Sequence, residues 1–416
     1  MSQSLYLGIN PSMKILVLNA GSSSHKLCLY TLDRELPETV PTPVWEAQID
    51  WYPQNAVIEV KTDADTCLEQ TLALTSRREI LSQVLSTLWQ GNSPVLKSPD
   101  EIDAVGHRVV HGGQTYQAST VVTPDVKAEI DRLRQLAPNH NPANLEGIEL
   151  MEELLGNTPQ IAVFDTAFHS QMPDVAAVYP GPYDWVSQGI RRYGFHGISH
   201  QYCSQRAAQI LGRDNLRLIV CHLGNGGSLC AVDCGQGVDT TMGFTPLDGL
   251  MMGTRSGAVD PGILIYLMRQ GYSADRLDQM LNKESGLKGI SGISHDLRQI
   301  AQVAENKRAQ LAQDMYLHRL KACMGSMLMS LGGADAIVFT AGIGEHAASI
   351  RAAVCKSMGF LGLKLDPQRN SSSPIDQDIA TPDSTIRVLV IHTQEDWAIA
   401  QDCWHMLRAS KLVGTQ

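Results

Sequence analysis

Three glycine-rich turns are the first candidates for chemistry, because each follows an apolar run typical of a buried strand. They are Gly21-Ser22-Ser23-Ser24 after Met13 to Leu18, Gly224 to Ser228 after Ile219 to Leu223, and Ala341 to Gly344 after Ile337 to Thr340. Glycine lets the backbone approach an anion closely, and backbone N–H groups and serine hydroxyls can then donate hydrogen bonds to it. The three turns therefore predict that the phosphates of a nucleotide are bound from several sides. No Gly-x-Ser-x-Gly motif occurs at the first turn, so its serines are interpreted as binding groups and not as nucleophiles.

Two arginines beside glycines could bind the oxygens of a carboxylate or a phosphate. Arg108 lies in the segment Gly106 to Gly113, and Arg255 lies in the segment Gly253 to Gly257. A planar guanidinium can contact two such oxygens at once, which suits a reaction in which negative charge develops on a phosphoryl group. The alternative for either arginine is an ordinary ion pair at the surface.

Carboxylates and a histidine complete the set of candidate groups. Asp165 follows the apolar run that ends at Phe164, and Glu395 follows another apolar run late in the chain. Magnesium prefers oxygen ligands and keeps several waters, so these two carboxylates near a phosphate-binding turn would be sufficient for it. His196 stands between an aromatic residue and a glycine, where a purely structural histidine is the alternative.

The elements that must position these residues alternate between strands and helices, which indicates an α/β fold. Strand–turn–strand patterns at 14–30 and 217–233 resemble each other and predict an internal duplication, with chance similarity of short glycine turns as the alternative. The sequence predicts helices over 77–89, 124–135, 144–155, 201–211 and 306–331, strands over 102–110, 160–164 and 385–391, and an exposed loop over 370–383.

Length and charge limit the class of protein. A chain of 416 residues is longer than one hydrophobic core usually supports, so we expect two domains with a ligand cleft between them. A net charge of −10 argues against partners such as nucleic acid or an anionic membrane. The first twelve residues lack the features of a secretory signal and the nine cysteines are scattered, so we expect a cytoplasmic protein with reduced thiols.

Taken together, these segments resemble the acetate kinase family, whose members share the duplicated actin-like fold. The resemblance runs from Met13 to about Met406 and includes the stretches 17–24, 106–113, 140–144, 163–169, 192–200, 222–227, 253–257 and 340–345. It implies two actin-like (ribonuclease H-like) domains with a nucleotide cleft between them, over 13–165 with 397–416 and over 166–396. It further implies a homodimer that transfers phosphate between ATP and acetate or a similar short carboxylate, with ADP and acetyl phosphate as products. The implied cofactor is Mg²⁺, which Mn²⁺ can replace.

The resemblance also implies roles for individual residues. Asp165 would be the catalytic acid or base, and Arg108 would bind the carboxylate substrate, while His196 and Arg255 would stabilise the transition state. Asn19 and Glu395 would hold the metal. The small apolar pocket for the substrate would be formed by Val110, Asn139, Phe195 and Pro246. The nucleotide would be contacted by Lys26, His222, Leu223, Gly224, Asn225, Gly226, Asp296, Leu297, Arg298, Gly342, Ile343, Gly344, Glu345 and His346.

Some positions depart from the family pattern and leave the substrate open. Asn139 stands where the family usually has leucine, so the pocket could suit a slightly more polar acid than acetate. Ala258 replaces an acidic residue that could hold Arg255, and His346 replaces an asparagine. Direct in-line transfer is the expected mechanism. The alternatives are a propionate kinase, a sugar kinase of the same fold, and an actin-like protein that uses nucleotides to drive binding.

Overall fold

The computed structural model describes residues 12–21, 24–62, 67–74, 76–138, 140–303 and 305–413. Ser22, Ser23 and Asn139 lie outside the described residues, and so does the start of the chain on which the absence of a signal was argued. The described chain forms two compact units. Unit 1 extends through Ala167 and resumes at Gln394, and unit 2 is Phe168–Thr393. The domain ranges implied by the resemblance, 13–165 with 397–416 and 166–396, stay a prediction.

The strands are β1 (Met13–Ala20), β2 (Ser24–Leu32), β3 (Trp45–Trp51), β4 (Asn55–Thr62), β5 (Cys67–Ala73), β6 (Ala104–Val109), β7 (Thr120–Val121), β8 (Gln160–Phe164), β9 (Arg217–Leu223), β10 (Gly227–Asp233), β11 (Gln236–Thr240), β12 (Ala336–Thr340), β13 (Gln377–Asp378) and β14 (Arg387–Val390). The helices are α1 (Arg77–Ser86), α2 (Pro124–Arg132), α3 (Asn141–Leu155), α4 (Asp174–Ala177), α5 (Gly197–Leu211), α6 (Pro261–Arg269), α7 (Ala274–Lys283), α8 (Gly286–Ser291), α9 (Leu297–Ala301), α10 (Lys307–Leu331), α11 (Ala341–His346), α12 (Ala348–Ser357), α13 (Pro367–Ser371) and α14 (Glu395–Val413).

The two sheets share one topology. The strand order is β5-β4-β3-β2-β1-β6-β8-β7 in unit 1 and β11-β10-β9-β12-β14-β13 in unit 2. In each sheet an antiparallel meander of three strands is followed by two strands parallel to its first strand, and a short antiparallel strand forms the edge. The internal duplication predicted from the two strand–turn–strand patterns is therefore confirmed, with β4 and β5 as additional strands of the first sheet.

Helix boundaries follow local signals. Asn306 caps α10 by accepting hydrogen bonds from the N–H groups of Arg308 and Ala309, and the helix ends at Gly332, which has a φ of 65°. α3 begins at Asn141, three residues before the predicted start, with proline in its first turn.

Two predictions of irregular structure need correction. The segment 370–383 is not simply an exposed loop, because it contains β13 and because Asn370 is buried. The Asn370 side chain accepts a hydrogen bond from the buried guanidinium of Arg351, which draws this polar segment inward. The third glycine-rich turn is the start of α11, which begins directly at the end of β12.

Parallel pairing places the carboxyl ends of three strands at one edge of each sheet. In unit 1 these strands are β1, β6 and β8, and in unit 2 they are β9, β12 and β14. In open α/β sheets this edge is where ligands bind. Candidate residues lie at or just beyond these strand ends, with Asn19, Arg108 and Asp165 in unit 1 and His222 in unit 2.

Among the helices in the described part of the chain, none has both the length and the apolar composition that a bilayer crossing requires. The cysteines whose side chains are described are free thiols, and most of them are buried.

Buried histidines make unit 1 sensitive to acid. His107 on β6 is 1% exposed, and its Nε2 lies 2.6 Å from Gln160 Oε1. Burial lowers the pKa of His107 to about 4, although the hydrogen bond to Gln160 acts in the opposite direction. Between about pH 6.5 and pH 4 the unfolded chain therefore binds a proton that the folded chain does not. Protonation thus lowers the free energy of unfolding as the pH falls, by about 1.4 kcal/mol per pH unit from this residue.

We predict that His107→Gln reduces the pH dependence of the free energy of unfolding by about 1.4 kcal/mol per pH unit in this interval. Urea unfolding at several pH values measures it, and tryptophan fluorescence reports mainly on unit 1, since of the six tryptophans only Trp185 lies in unit 2. The exposed His405 gives the control variant His405→Gln. Equal slopes in the wild type and in His107→Gln would contradict the prediction.

Candidate active site

Arg108 and Asp165 form a close pair at the ends of β6 and β8. Arg108 Nη2 lies 2.6 Å from Asp165 Oδ2, and Arg108 Nε lies 3.2 Å from both carboxylate oxygens. Arg108 Nη1 also donates a hydrogen bond of 3.3 Å to Asn19 Oδ1 at the end of β1. Asp165 is fully buried, so its carboxylate fixes the direction of the guanidinium.

Asp396, in the first turn of α14, extends this cluster. Asn19 Nδ2 donates a hydrogen bond of 3.3 Å to Asp396 Oδ1, and Lys26 Nζ lies 2.8 Å from Asp396 Oδ2. Asn19 and Lys26 are directly opposite each other in the register of β1 and β2. The Asn19 amide therefore links an arginine–carboxylate pair to a lysine–carboxylate pair.

Neighbouring carboxylates keep both cations of this cluster charged. Burial opposes the charge of Arg108, but Asp165 and then Glu395 raise its pKa above the ordinary value. Burial likewise opposes the charge of Lys26, and Asp396 raises its pKa above the ordinary value. Positive charge is thus maintained at the carboxyl edge of a protein that is acidic overall.

Two asparagines of α3 hold the strand ends that carry the cluster. Asn144 Nδ2 donates a hydrogen bond of 2.7 Å to the carbonyl of Ala20, and its Oδ1 accepts one of 3.1 Å from the N–H of Val110. Asn141 Oδ1 accepts a hydrogen bond of 3.2 Å from the N–H of His111. Both amides are buried, so they are fixed in place by these bonds.

In unit 2, two histidine rings stack at the ends of neighbouring elements. His196 directly precedes α5 in the left-handed conformation, with a φ of 57°, and His222 lies near the end of β9. Their ring centroids are 4.2 Å apart and their planes differ by 16°. His222 Nδ1 lies 2.8 Å from Ser199 Oγ, which in turn lies 3.0 Å from Thr393 Oγ1.

Arg255 approaches the same place without a carboxylate partner among the residues that the structure describes. Its Nη1 donates a hydrogen bond of 3.1 Å to the carbonyl of Pro246, and burial lowers the pKa of Arg255 below the ordinary value. A Cβ atom added at Gly226 would lie 3.6 Å from Arg255 Nη1 and 3.7 Å from His196 Nε2. A guanidinium and an imidazole therefore face one small space beside Gly226, where an anion would compensate the buried charge.

A pocket of about 330 Å³ lies near this space in unit 2, and its volume is in the range of small-molecule sites. It is lined by Gly224, Asn225, His295, Asp296, Leu297, Arg298, Gly342, Ile343, His346 and Ala347. All of these except His295 and Ala347 are residues that the family resemblance implies to contact a nucleotide. The structure therefore brings three separate segments of that prediction together, while Lys26 belongs to unit 1.

Glu345 stands apart from the pocket. The residue is 6% exposed, its Oε2 lies 2.6 Å from His392 Nδ1, and its Oε1 accepts a hydrogen bond of 3.2 Å from the N–H of Thr393. Burial raises the pKa of Glu345, but the contacts with His392 and Thr393 outweigh it and hold the pKa below its ordinary value.. Arg351 donates to the carbonyl oxygens of Gly344 and Glu345 at 2.8 and 2.6 Å. These contacts fix the Glu345 side chain away from the pocket, which is lined by residues on both sides of it in the chain.

The residues predicted to form the substrate pocket are divided between the units. Val110 in unit 1 and Phe195 in unit 2 are buried, the carbonyl of Pro246 accepts the bond from Arg255, and Asn139 lies outside the described residues. Their roles stay predictions, as do the acid–base role of Asp165 and the metal-binding roles of Asn19 and Glu395.

A sequence profile of the acetokinase family matches residues 14–401. The chain belongs to the acetokinase family. An acetate kinase from Acaryochloris marina is 67% identical over 395 residues, which cover 94% of this chain and 99% of that protein. An acetate kinase from Nostoc sp. is 61% identical over 404 residues, covering 95% of this chain and all of that protein.

Solved structures of the acetokinase family share the fold. The crystal structure of an acetate kinase from Porphyromonas gingivalis superposes with a TM-score of 0.85 at 40% identity and covers 95% of this chain and 100% of that one. A propionate kinase from Francisella tularensis gives a TM-score of 0.85 at 39% identity, with 94% and 98% covered. The duplicated actin-like fold of acetokinases is thus also the fold of this chain.

Sequence reasoning missed three residues that the structure places against the candidate site. Asp396 is the partner of Asn19 and Lys26. In the sequence, only its position beside Glu395 indicated a role in the site. Ser228 and His200 contact His196 through a shared hydroxyl, at the edges of two motifs that were singled out for other residues. Contacts between segments far apart in the chain leave no pattern in one sequence.

We predict that Gly226→Ala lowers kcat by at least about tenfold without unfolding the protein, since its methyl group would occupy the space that Arg255 and His196 face. Gly226 has no positive φ, and the nearest atoms to the new Cβ lie at ordinary contact distances. Steady-state kinetics and a thermal melt measure the two effects. Gly325→Ala in α10, where a Cβ meets nothing within 4 Å, is the control. Unchanged kcat in Gly226→Ala would show that no reacting group occupies this space.

Proposed function

We propose that this acetokinase catalyses reversible phosphoryl transfer between ATP and acetate by direct in-line displacement. An acetate oxygen attacks the γ-phosphorus of ATP, a new oxygen–phosphorus bond forms, and the bond to the bridging β–γ oxygen breaks. The products are acetyl phosphate and ADP. A carboxylate is already a nucleophile, so the protein has mainly to align two anions and reduce their repulsion.

The observation that carries the proposal is the pair of donors beside Gly226. Arg255 forms no ion pair within the described residues, and it shares with His196 a space that is open at a residue lacking a side chain. If Arg255 served only in a surface ion pair, its partly buried guanidinium would contact a carboxylate of the protein. Negative charge that develops on a phosphoryl group would supply the missing partner.

Arg108 is proposed to bind the carboxylate of the substrate. Its Nε and Nη2 atoms contact Asp165, and Nη1 contacts Asn19, so the guanidinium is held in one orientation. Asp165 then acts at least as the group that orients Arg108, beside its proposed acid–base role. Val110 would supply part of the apolar wall that contacts the methyl group of acetate.

The pocket lined by Asn225, Asp296 and Ile343 is proposed to hold the nucleotide. Its glycines allow close approach of the phosphates and ribose, and its apolar wall at Ile343 and Leu297 suits a base. Lys26 is a further proposed contact of the phosphates.

Magnesium is the proposed metal, and the residues present fit it. The described residues contain no group of three or more His, Cys, Asp or Glu side chains that could hold a metal by themselves. Magnesium binds one or two protein oxygens and takes its other ligands from phosphates and water. Glu395 and the amide oxygen of Asn19, which also accepts the 3.3 Å bond from Arg108, would hold it, while the carboxylate of Asp396 contacts Lys26 and Asn19. When bound, the ion would neutralise phosphate charge.

Propionate kinase activity is the second candidate. The propionate kinase from Francisella tularensis matches this chain as well as the acetate kinase from Porphyromonas gingivalis does, at 39% and 40% identity. Acetate is preferred as the proposed substrate because the Acaryochloris and Nostoc acetate kinases are 67% and 61% identical. One added methylene changes binding by only about 1–3 kcal/mol, so both acids are expected to react at different rates.

A homodimer in the cytoplasm is the proposed state. α6 has no buried residue, although it is mostly apolar. Ile263, Ile265, Tyr266 and Met268 on this helix are 49–61% exposed, which is an unusual surface for a single chain in water. A second copy of the chain would present the same uncharged face and cover it. Buried free thiols are compatible with a reducing compartment.

We predict that Arg255→Ala lowers the rate of acetyl phosphate formation by a factor of about 100 or more, equivalent to roughly 3 kcal/mol of transition-state stabilisation. Arg108→Lys keeps a cation beside Asp165. It should still lower the rate by a similar factor, because lysine cannot make the bidentate contact of a guanidinium. Hydroxylamine trapping of the acyl phosphate, with ATP, Mg²⁺ and either acetate or propionate, measures the rates.

The exposed Arg276, which pairs with Glu284, supplies the control variant Arg276→Ala. If the wild-type protein forms hydroxamate from neither acid, the proposed function is refuted. Normal rates in both arginine variants would instead refute the assignment of these residues.

We predict that Glu395→Gln raises the Mg²⁺ concentration for half-maximal activity by about tenfold, because a charged ligand is lost. Asp396→Asn should lower kcat with a much smaller change in the Mg²⁺ requirement, since its carboxylate contacts Lys26 and Asn19. Activity titrations with Mg²⁺ at saturating ATP measure both. An unchanged titration in Glu395→Gln would remove this residue from the metal site.

We predict that Ile265→Glu in α6 converts the homodimer to a monomer, because a charge in an apolar interface is costly to bury. Light scattering coupled to size-exclusion chromatography gives the mass directly. Val175→Glu, at a residue that is 94% exposed, should leave the mass of the wild type. A monomeric wild type, or a dimeric Ile265→Glu variant, would contradict this interface.

A further inference from the structure

A fully buried serine hydroxyl connects two histidines of unit 2. Ser228 lies in β10 and is 0% exposed. Its Oγ lies 2.9 Å from His196 Nδ1 and 2.7 Å from His200 Nε2. We name these three residues the Ser228 bridge. His200 is in the first turn of α5 and is itself fully buried.

Hydrogen counting limits how the bridge can be arranged. A serine hydroxyl has one hydrogen to donate and lone pairs to accept with, and a neutral imidazole has one N–H and one accepting nitrogen. If Ser228 donates to one ring, the other ring must donate to Ser228. The bridge therefore runs in one of two directions, and each direction assigns a tautomer to both histidines.

The other nitrogen of His200 decides the direction. His200 Nδ1 is buried and has no hydrogen-bond partner within the described part of the chain. Burial, followed by the neighbouring His169 and His222, places the pKa of His200 well below its ordinary value, so the ring carries one hydrogen. An orphaned buried N–H is rarer than an under-used acceptor. The hydrogen of His200 is therefore on Nε2, where it is donated to Ser228.

The direction of the Ser228 bridge then determines the tautomer of His196. Ser228 accepts from His200 and donates its own hydrogen to His196 Nδ1. We propose that Ser228 and His200 are positioning residues that hold His196 in the tautomer with its hydrogen on Nε2. This proposal rests on the proposed function of His196 in phosphoryl transfer.

The assigned tautomer gives His196 a defined chemical task. Nε2 is the atom that faces the space beside Gly226, together with Arg255 Nη1. With the hydrogen on Nε2, both groups are donors toward that space, as an anionic phosphoryl group requires. In the opposite tautomer His196 would present a lone pair to the phosphoryl oxygens, and the interaction would be repulsive. Stacking on His222 fixes the plane of the His196 ring, so the Ser228 bridge determines only which ring nitrogen carries the hydrogen.

The tautomer can be read directly by nuclear magnetic resonance. The protein has 13 histidines, and labelling them with ¹⁵N allows each ring to be observed through couplings between ring nitrogens and ring carbon-bound protons. The spectrum of His196→Gln identifies the signals of His196 by their loss. We expect a protonated Nε2 and an unprotonated Nδ1 in the wild type. Protonation of Nδ1 with a bare Nε2 would overturn the proposal, whatever activity the protein has.

Variants of the bridge test its effect on the reaction. Ser228→Ala and His200→Leu should each lower kcat about 10–100-fold, with KM for ATP and acetate within about twofold, and should remove the single tautomer of His196. His200→Gln should restore most of kcat, because its side-chain amide can donate in place of Nε2. Ser204→Ala in α5 removes another buried hydroxyl, which donates only to the carbonyl of Gln201, and it should leave kcat unchanged.

These outcomes separate the bridge from the proposed function. Wild-type kcat in Ser228→Ala, or an equal loss in His200→Gln and His200→Leu, would refute the positioning role even in an active acetate kinase. An inactive wild type would refute the proposed function, and the spectrum would still decide the tautomer of His196.

Discussion

The parallel hydrogen-bonded pairing of three strands in each sheet is the constraint on which the candidate site depends. It brings the ends of β1, β6 and β8 to one edge in unit 1, and those of β9, β12 and β14 to one edge in unit 2. Residues more than fifty positions apart in the chain therefore become neighbours, as Arg108 and Asp165 do at 2.6 Å. Sheet topology, and not local sequence, assembles the chemistry.

The two arginines occupy opposite electrostatic environments, and this difference matches the different tasks proposed for them. Arg108 is held by Asp165 and Asn19, so it offers a pre-oriented guanidinium whose charge is already partly compensated. Arg255 contacts only neutral acceptors among those described, so it gains most from an anion that appears during the reaction. A group compensated beforehand suits binding of a stable carboxylate. An uncompensated one suits charge that develops in the transition state.

The sequence predicted those features that local pattern encodes. The two hairpins, the long helix α10 and the strand β8 agree with apolar spacing and turn residues. The segment at Asn370 was predicted to be an exposed loop because its composition is polar. Asn370 is buried because it accepts a hydrogen bond from Arg351, a contact that the composition of the segment does not indicate. Asp396 and Ser228 were missed for the same reason, since a hydrogen bond across elements depends on tertiary packing alone. The pocket residues at 224–225, 296–298, 342–343 and 346 were predicted because the resemblance to a family carries tertiary information that a short stretch of sequence lacks.

We propose that donors at the carboxyl edges of the sheets contact the group being transferred and the acid that receives it. A crystal structure with ADP, Mg²⁺, aluminium fluoride and acetate tests it most directly. We expect aluminium fluoride within hydrogen-bond distance of Arg255 Nη1 and His196 Nε2, and an acetate oxygen bound to the guanidinium of Arg108. Aluminium fluoride and acetate bound elsewhere, with these side chains unengaged, would contradict it.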